Sequence, residues 1–132
     1  MEKIAHEYLA GFFDGEGYAG LKERSHRAGK PYIDAQVIIG NTNAKVLQLI
    51  QRAFAGRLYE RPNGLRSIWI LEWTRREQII TFLSAVYPHL IVKKARVGAI
   101  LKYLRSRQSR SYSDASRKAF TEYQSLGAAR LR

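Results

Sequence analysis

Leu9-Ala10-Gly11-Phe12-Phe13-Asp14-Gly15-Glu16-Gly17 is the stretch that decides the fold. It begins as an apolar helix carrying two glycines four residues apart, Gly11 and Gly15, which share one face. Glycine lowers helix propensity by about 1 kcal/mol at each position, so two on one face need a reason, and close approach of another backbone is one. The stretch then runs into Asp14 and Glu16 at the helix's C-terminal end. That end carries partial negative charge. Two acids there are unfavourable unless a cation is meant to sit beside them.

The rest of the chain sets the setting for that cation. The sequence has 132 residues, enough for a single domain with a modest core. It has no cysteine, which excludes a disulfide framework and any cysteine-based zinc site. Met1-Glu2-Lys3 opens without a long apolar stretch and no apolar run reaches membrane-spanning length. The expectation is an intracellular protein of the cytoplasm or an organelle, with no membrane partner and no small-molecule cofactor. The net charge is +12, and it is uneven. Residues 1–92 hold 12 basic and 9 acidic side chains; residues 93–132 hold 11 basic and 2 acidic. Helical periodicity and aromatics persist through the basic tail, so it reads as a phosphate-binding part of a folded protein.

Working outward, residues 3–15 read as a first helix. Residues 18–27 and 32–40 form a hairpin around Gly29-Lys30-Pro31. Asn43 to Phe54 is a second helix, and Asn41 to Asn43 can cap it. Residues 57–61 and 66–73 form a second hairpin around Pro62-Asn63-Gly64. Thr74-Arg-Arg-Glu77 reads as a capping box opening a third helix that Pro88 stops. A fourth helix spans about Lys93 to Ser106. A Ser/Arg-rich break over 106–113 precedes a last helix from about Asp114 to Leu126, with Gly127 as its expected terminator. The order is αββαββα with helices appended, an α+β class: one domain over 1–132, with a core of 1–105 and a variable extension of 106–132.

Alternation along the strands divides the sheet into two faces. Ile33, Ala35, Val37 and Ile39 share one face with Trp69, Leu71 and Trp73 as their counterparts in the second hairpin. The other face carries Lys22, Arg24, His26, Asp34, Gln36, Tyr59, Arg61, Arg66 and Glu72. A strand of about ten residues spans roughly 33 Å, close to one turn of duplex. Arg and Lys suit guanine, and Gln36 suits adenine, in the major groove. Gly15-Glu-Gly17-Tyr-Ala-Gly20 matches a dinucleotide-binding pattern, but it lies between a helix and a strand in the wrong order. His6, His26 and His89 are too scattered for a metal site.

Residues 9–17 resemble the LAGLIDADG motif of homing endonucleases. Leu9, Ala10, Gly11, Asp14, Gly15, an acid at Glu16 and Gly17 fall on its pattern, a coincidence on the order of 10⁻⁸ per start site at average residue frequencies. The resemblance implies an αββαββα fold whose four-stranded antiparallel sheet binds DNA and is covered by helices on one face. Single-motif members are homodimers, which implies that Leu9, Gly11, Phe12 and Gly15 meet a second copy. The family's metal ligand is the second acid, here Glu16, with the Gly15 carbonyl helping to hold Mg²⁺, for which Mn²⁺ can substitute. The position of Asp14 serves mainly structure. By spacing, the resemblance also implies Lys93 near the scissile phosphate, and Asn41 and Lys45 in the outer shell of the metal-bound water. Plain phosphate contact remains open for the lysines, and helix capping for Asn41. Glu replaces the commoner Asp at position 16. The implied activity is Mg²⁺-dependent cleavage of both strands of a long pseudo-palindromic DNA target, as in intron homing. The rival is a non-catalytic nucleic-acid binder of the same fold, an RNA maturase or a DNA-binding regulator.

Overall fold

A computed structural model describes residues 4–25, 31–107 and 114–129. Helix α1 (His6–Glu16) leads directly into β1 (Gly17–Ser25), followed by β2 (Pro31–Asn41), α2 (Ala44–Phe54), β3 (Arg57–Asn63), β4 (Arg66–Trp73), α3 (Arg76–Val86), a single 3₁₀ turn at Tyr87–His89, α4 (Lys94–Ser106) and α5 (Asp114–Ala129). A helix–hairpin unit therefore occurs twice. The four strands make one antiparallel sheet in the order β1-β2-β4-β3. The two hairpins join along β2 and β4, with Ile39 opposite Leu71 and Val37 opposite Trp73.

Side-chain alternation puts the core on one side of that sheet. Ala19, Leu21, Ile33, Val37, Ile39, Leu71 and Trp73 are all buried. They meet helix residues chosen by helical spacing: Leu9, Ala10 and Phe13 from α1, Leu47 and Ile50 from α2, Ile79, Phe82, Leu83 and Val86 from α3, Val97, Ile100 and Leu101 from α4. Phe82 is the hub. It stacks on Trp73 at 4.3 Å and takes Phe13 and Phe54 edge-on at 5.5 and 5.3 Å. The Trp73 indole donates to the Phe54 carbonyl at 3.0 Å. Gly56 follows with φ 102°, and the indole also occupies the space a side chain there would need.

Helix α5 is bound to the rest through α4. Ala119 and Phe120 join the core, and Lys102 pairs with Glu122 at 2.8 Å. Arg96 ties three elements together. Its Nε donates to the Ala19 carbonyl at 2.6 Å, occupying an unpaired group on the edge strand β1. Its Nη2 donates to the Tyr123 hydroxyl at 2.9 Å, and its guanidinium lies over the Tyr18 and Tyr123 rings.

Four local expectations change. The first helix starts at His6, with Ile4 packed against the core outside it. The Thr74–Glu77 capping box does not form: the N-cap of α3 falls one residue later, on Arg75, which makes no side-chain cap bond. Arg76 is drawn instead to the Leu104 carbonyl, which accepts from Nε at 3.1 Å and Nη2 at 2.8 Å. Gly127 does not end the last helix, which continues to Ala129. Leu9 is 1 % exposed and belongs to this chain's own core, so it is not on an open face where a second copy could meet it. The Gly29-Lys30 part of the first turn, His26 and residues 108–113 of the Ser/Arg-rich break lie outside the described residues.

Candidate active site and nucleic-acid face

The corner between α1 and β1 has no loop. The Gly17 N–H donates back to the Phe13 carbonyl, and the Phe13 ring fills the place that a side chain at residue 17 would take. Phe13 cannot yield easily, because it is buried and locked edge-on to Phe82. Glycine at 17 thus lets the chain turn from helix to strand within one residue. Glu16 stands at that turn, exposed, with no hydrogen-bond or ion-pair partner among the described residues. The Gly15 carbonyl is among the last of α1, where carbonyls have no partner within the helix.

Asp14 is engaged where Glu16 is not. Its Oδ2 accepts from the Ile91 and Val92 N–H groups at 2.8 and 3.2 Å, and its Oδ1 from the Lys93 N–H at 3.0 Å. Lys93 is the N-cap residue of α4, so Asp14 receives the orphan donors in front of that helix. Lys93 returns the contact, its Nζ donating to the Asp14 carbonyl oxygen at 2.5 Å. The ammonium thereby sits at the negative end of α1, 5.9 Å from the Phe13 ring. Burial works against ionisation of Asp14. The three N–H donors and the Lys93 charge outweigh it and hold the carboxyl below the usual range.

Glu16, Gly15 and Lys93 therefore belong to one corner, built by Asp14. Among the described residues no hydrogen bond joins Asn41 or Lys45 to it. Asn41 ends β2, two residues past the Gly17–Ile39 pair, and its Oδ1 accepts from the Asn43 N–H at 2.8 Å. The capping of α2 falls to Asn43, whose Oδ1 accepts from the Lys45 and Val46 N–H groups at 3.0 and 3.3 Å. Lys45 is exposed in the first turn of α2, and no hydrogen bond links its side chain to the Asp14–Lys93 corner among the described residues.

The sheet face turned away from the core carries Lys22, Arg24, Asp34, Gln36, Tyr59, Arg61, Arg66 and Glu72, as alternation requires. Lys22 is opposite Asp34 in register, and Asp34 pairs with Arg24 at 3.0 Å. Gln36 Nε2 donates to Glu72, joining the two hairpins. A groove of about 460 Å³ opens between Tyr18, Lys22, Arg24, Gln36 and Glu72. Two further features of this face lie outside the polar set given above. Arg57 lies on it, with its guanidinium 4.4 Å from the Tyr59 ring. Ile38, Ile68 and Ile70 also lie on it, beside Gly40. Alternation along the strands places the three isoleucines there, and it would have marked Arg57 as well.

Helix α1 has an exposed side along Tyr8, Gly11 and Gly15 that no element among the described residues covers. Tyr8 is 55 % exposed, Gly11 and Gly15 are exposed, and Phe12 is half-buried and stacked on Tyr8. Nothing lies within 4 Å of where a side chain on Gly11 or Gly15 would begin. The glycines are thus not required by packing within one chain. Ile91 and Val92, whose N–H groups bind Asp14, are 85 % and 74 % exposed.

No protein-family model and no curated protein matches the sequence. Solved structures do match the fold. The homing endonuclease I-CvuI, in complex with its target, superposes with a TM-score of 0.77 at 18 % identity, covering 93 % of this chain and 80 % of that one. The archaeal intron-encoded homing endonuclease I-Vdi141I, complexed with DNA, gives 0.76 at 18 %, covering 93 % and 82 %. The LAGLIDADG homing endonuclease I-GzeII, in complex with its DNA target, gives 0.68 at 17 %; the match covers 92 % of this chain but 43 % of I-GzeII. At such identities the likeness is one of fold: this chain has the α+β fold of LAGLIDADG homing endonucleases, with five helices and a four-stranded antiparallel sheet.

Proposed function

We propose that this chain, acting as one domain, is a site-specific, divalent-metal-dependent endonuclease that cleaves double-stranded DNA as a homodimer. The observation that carries the reading is the division between two acids two residues apart. Asp14 is engaged by three backbone N–H groups. Glu16 is left exposed and unpartnered at the negative end of a helix. A free carboxylate beside a phosphate backbone is repulsive unless a cation lies between them.

The donor set suits a hard cation: a carboxylate and the Gly15 carbonyl, all oxygen, favour Mg²⁺ with Mn²⁺ as a substitute. The described residues contain no cluster of three or more His, Cys, Asp or Glu that could hold a metal. The full set would then draw on DNA phosphate oxygens and on Glu16 of a second copy. An ion so held by Glu16 and the Gly15 carbonyl would supply Lewis-acid chemistry for phosphodiester displacement. Lys93 brings a fixed positive charge to the same corner, where negative charge grows on the phosphate in the transition state. Asp14 fixes the Lys93 backbone, and the Asp14 carbonyl fixes the ammonium. Asn41 and Lys45 serve as outer polar contacts to water or phosphate.

Dimerisation rests on the open face of α1. Gly11 and Gly15 let a second α1 approach closely, flanked by Phe12 and Tyr8. Two copies around a two-fold axis present two identical sheets, so the target is long and pseudo-palindromic. The outer face, with Lys22, Arg24, Gln36, Arg57, Arg61 and Arg66, lies in the major groove.

A non-catalytic nucleic-acid binder is the second reading, favoured by the incomplete metal set within one chain. A plasmid library of candidate sites incubated with the protein and Mg²⁺ separates the two. Double-strand cleavage at one sequence is expected. Binding without cleavage would instead indicate a regulator, and preference for structured RNA a maturase.

A further inference from the structure

The outer face of the sheet is not uniformly polar, and its apolar part is placed level with Glu16. Gly17, which follows Glu16, pairs with Ile39. The outward rows at that level are Gly40 beside Ile70 and Tyr59, and Tyr18 beside Ile38 and Glu72. Ile68 follows, opposite Arg61. Without a side chain at Gly40, the Ile68 and Ile70 Cδ1 atoms lean over the gap, 3.2 and 3.3 Å from where a Cβ would stand. Ile70 is 2 % exposed although it faces outward, so it is the floor of the patch. Ile38 and Ile68 remain partly exposed above it. Moving along β1 and β2 away from Glu16, the rows turn polar: Gln36, then Lys22 with Asp34, then Arg24 with Tyr32.

Isoleucines cannot donate or accept hydrogen bonds. Set against polar base edges they leave those edges unpaired, which is costly. One group in the major groove suits them, the C5 methyl of thymine. The patch is bordered by Arg57, Arg61 and Arg66, which match the phosphates on either side of a groove. A strand rises about 3.3 Å per residue and duplex about 3.4 Å per base pair, so outward rows, which are two residues apart, fall about every two base pairs.

We propose that Ile38 and Ile68 read thymine methyl groups in the base pairs nearest the cut, while hydrogen-bond readout is confined to the outer part of each half-site. This rests on the nuclease reading above. The target would carry thymines, on either strand, within a few base pairs of the cleavage position. Discrimination by Gln36, Lys22 and Arg24 would lie further out.

The test replaces thymine by deoxyuridine, which removes the methyl and keeps every hydrogen-bonding group. A target is first selected from a randomised duplex library with the wild-type protein, and each thymine is then replaced singly. Binding is measured with Ca²⁺ and cleavage with Mg²⁺. Loss of about three- to fivefold in affinity is expected at inner positions, the worth of one buried methyl-sized group, with little change at outer ones. Ile38→Ala and Ile68→Ala should abolish the loss at their own positions and leave the others unchanged. A selected target without inner thymines, or a flat deoxyuridine scan there with the wild-type protein, would overturn the inference while leaving the nuclease reading intact. Failure to select any duplex would overturn the nuclease reading and this inference with it.

Discussion

Asp14 and Glu16 are chemically alike, and their surroundings give them different work. Asp14 receives three backbone N–H groups from residues 91–93, and that is where its stabilising effect lies. Asp14→Asn keeps an acceptor but turns an amide donor toward those N–H groups, and should cost about 1–3 kcal/mol at neutral pH. The sign of the pH dependence follows from the lowered carboxyl pKa. A group depressed on folding stabilises above its unfolded value and loses that contribution as pH falls through its folded value. The gap in denaturation midpoint between wild type and Asp14→Asn should therefore be full above about pH 5 and shrink below about pH 4. A gap constant from pH 7 to pH 3 would contradict the clasp. Gly17→Ala makes a second test at this scale. The Phe13 ring must move to admit a methyl, and overpacking of this kind costs about 1–3 kcal/mol. Calorimetry should show a lower melting temperature, and an unchanged one would mean that the corner is looser than described.

At the scale of elements, α1 serves two surroundings at once. Its Leu9, Ala10 and Phe13 side enters the core and Phe12 packs at the core's margin, while Tyr8, Gly11 and Gly15 are exposed and nothing among the described residues packs against the two glycines. In an isolated chain, Gly11→Ala would stabilise by about 0.5–1 kcal/mol through helix propensity alone. If a second α1 packs there, the added methyl separates the helices. The expected result is a chain as well folded as wild type that sediments as a monomer; a more stable dimer would contradict the proposed interface. The motif made the glycine face legible, and strand alternation made both sheet faces legible. What could not be read from sequence has long-range causes. Leu9 matched the motif, but only the packing of α1 on α3 and the sheet decides that it points inward. The α3 capping box does not form, and Arg76 within it is bound to the Leu104 carbonyl, 28 residues away. The Asp14–Lys93 clasp joins residues 79 apart, which no local pattern announces. Ile38, Ile68 and Ile70 were placed on the outer face by period, but an eye for charge passes over them.

For the whole molecule, charge sets the binding behaviour, and the proposed dimer would add two-fold symmetry. A protein with a net charge of +12 displaces counterions when it binds a duplex. If two sheets together meet about ten phosphates, affinity should fall by roughly 10³–10⁵ between 50 and 200 mM salt. A nearly salt-independent affinity would argue against phosphate contact as the source of binding. The edge strand β1 is held by Arg96 between Tyr18 and Tyr123, so α5 supports the strand that begins at the Asp14–Glu16 corner. The central claim is that the exposed acid at the end of α1 performs the chemistry and the sheet performs the binding. Its most direct test compares wild type with Glu16→Gln on one selected duplex, measuring affinity in Ca²⁺ and double-strand cleavage in Mg²⁺. Affinity within about threefold and a loss of cleavage of about a thousandfold or more are predicted, in line with removal of a metal ligand. Cleavage by Glu16→Gln within tenfold of wild type would contradict the account.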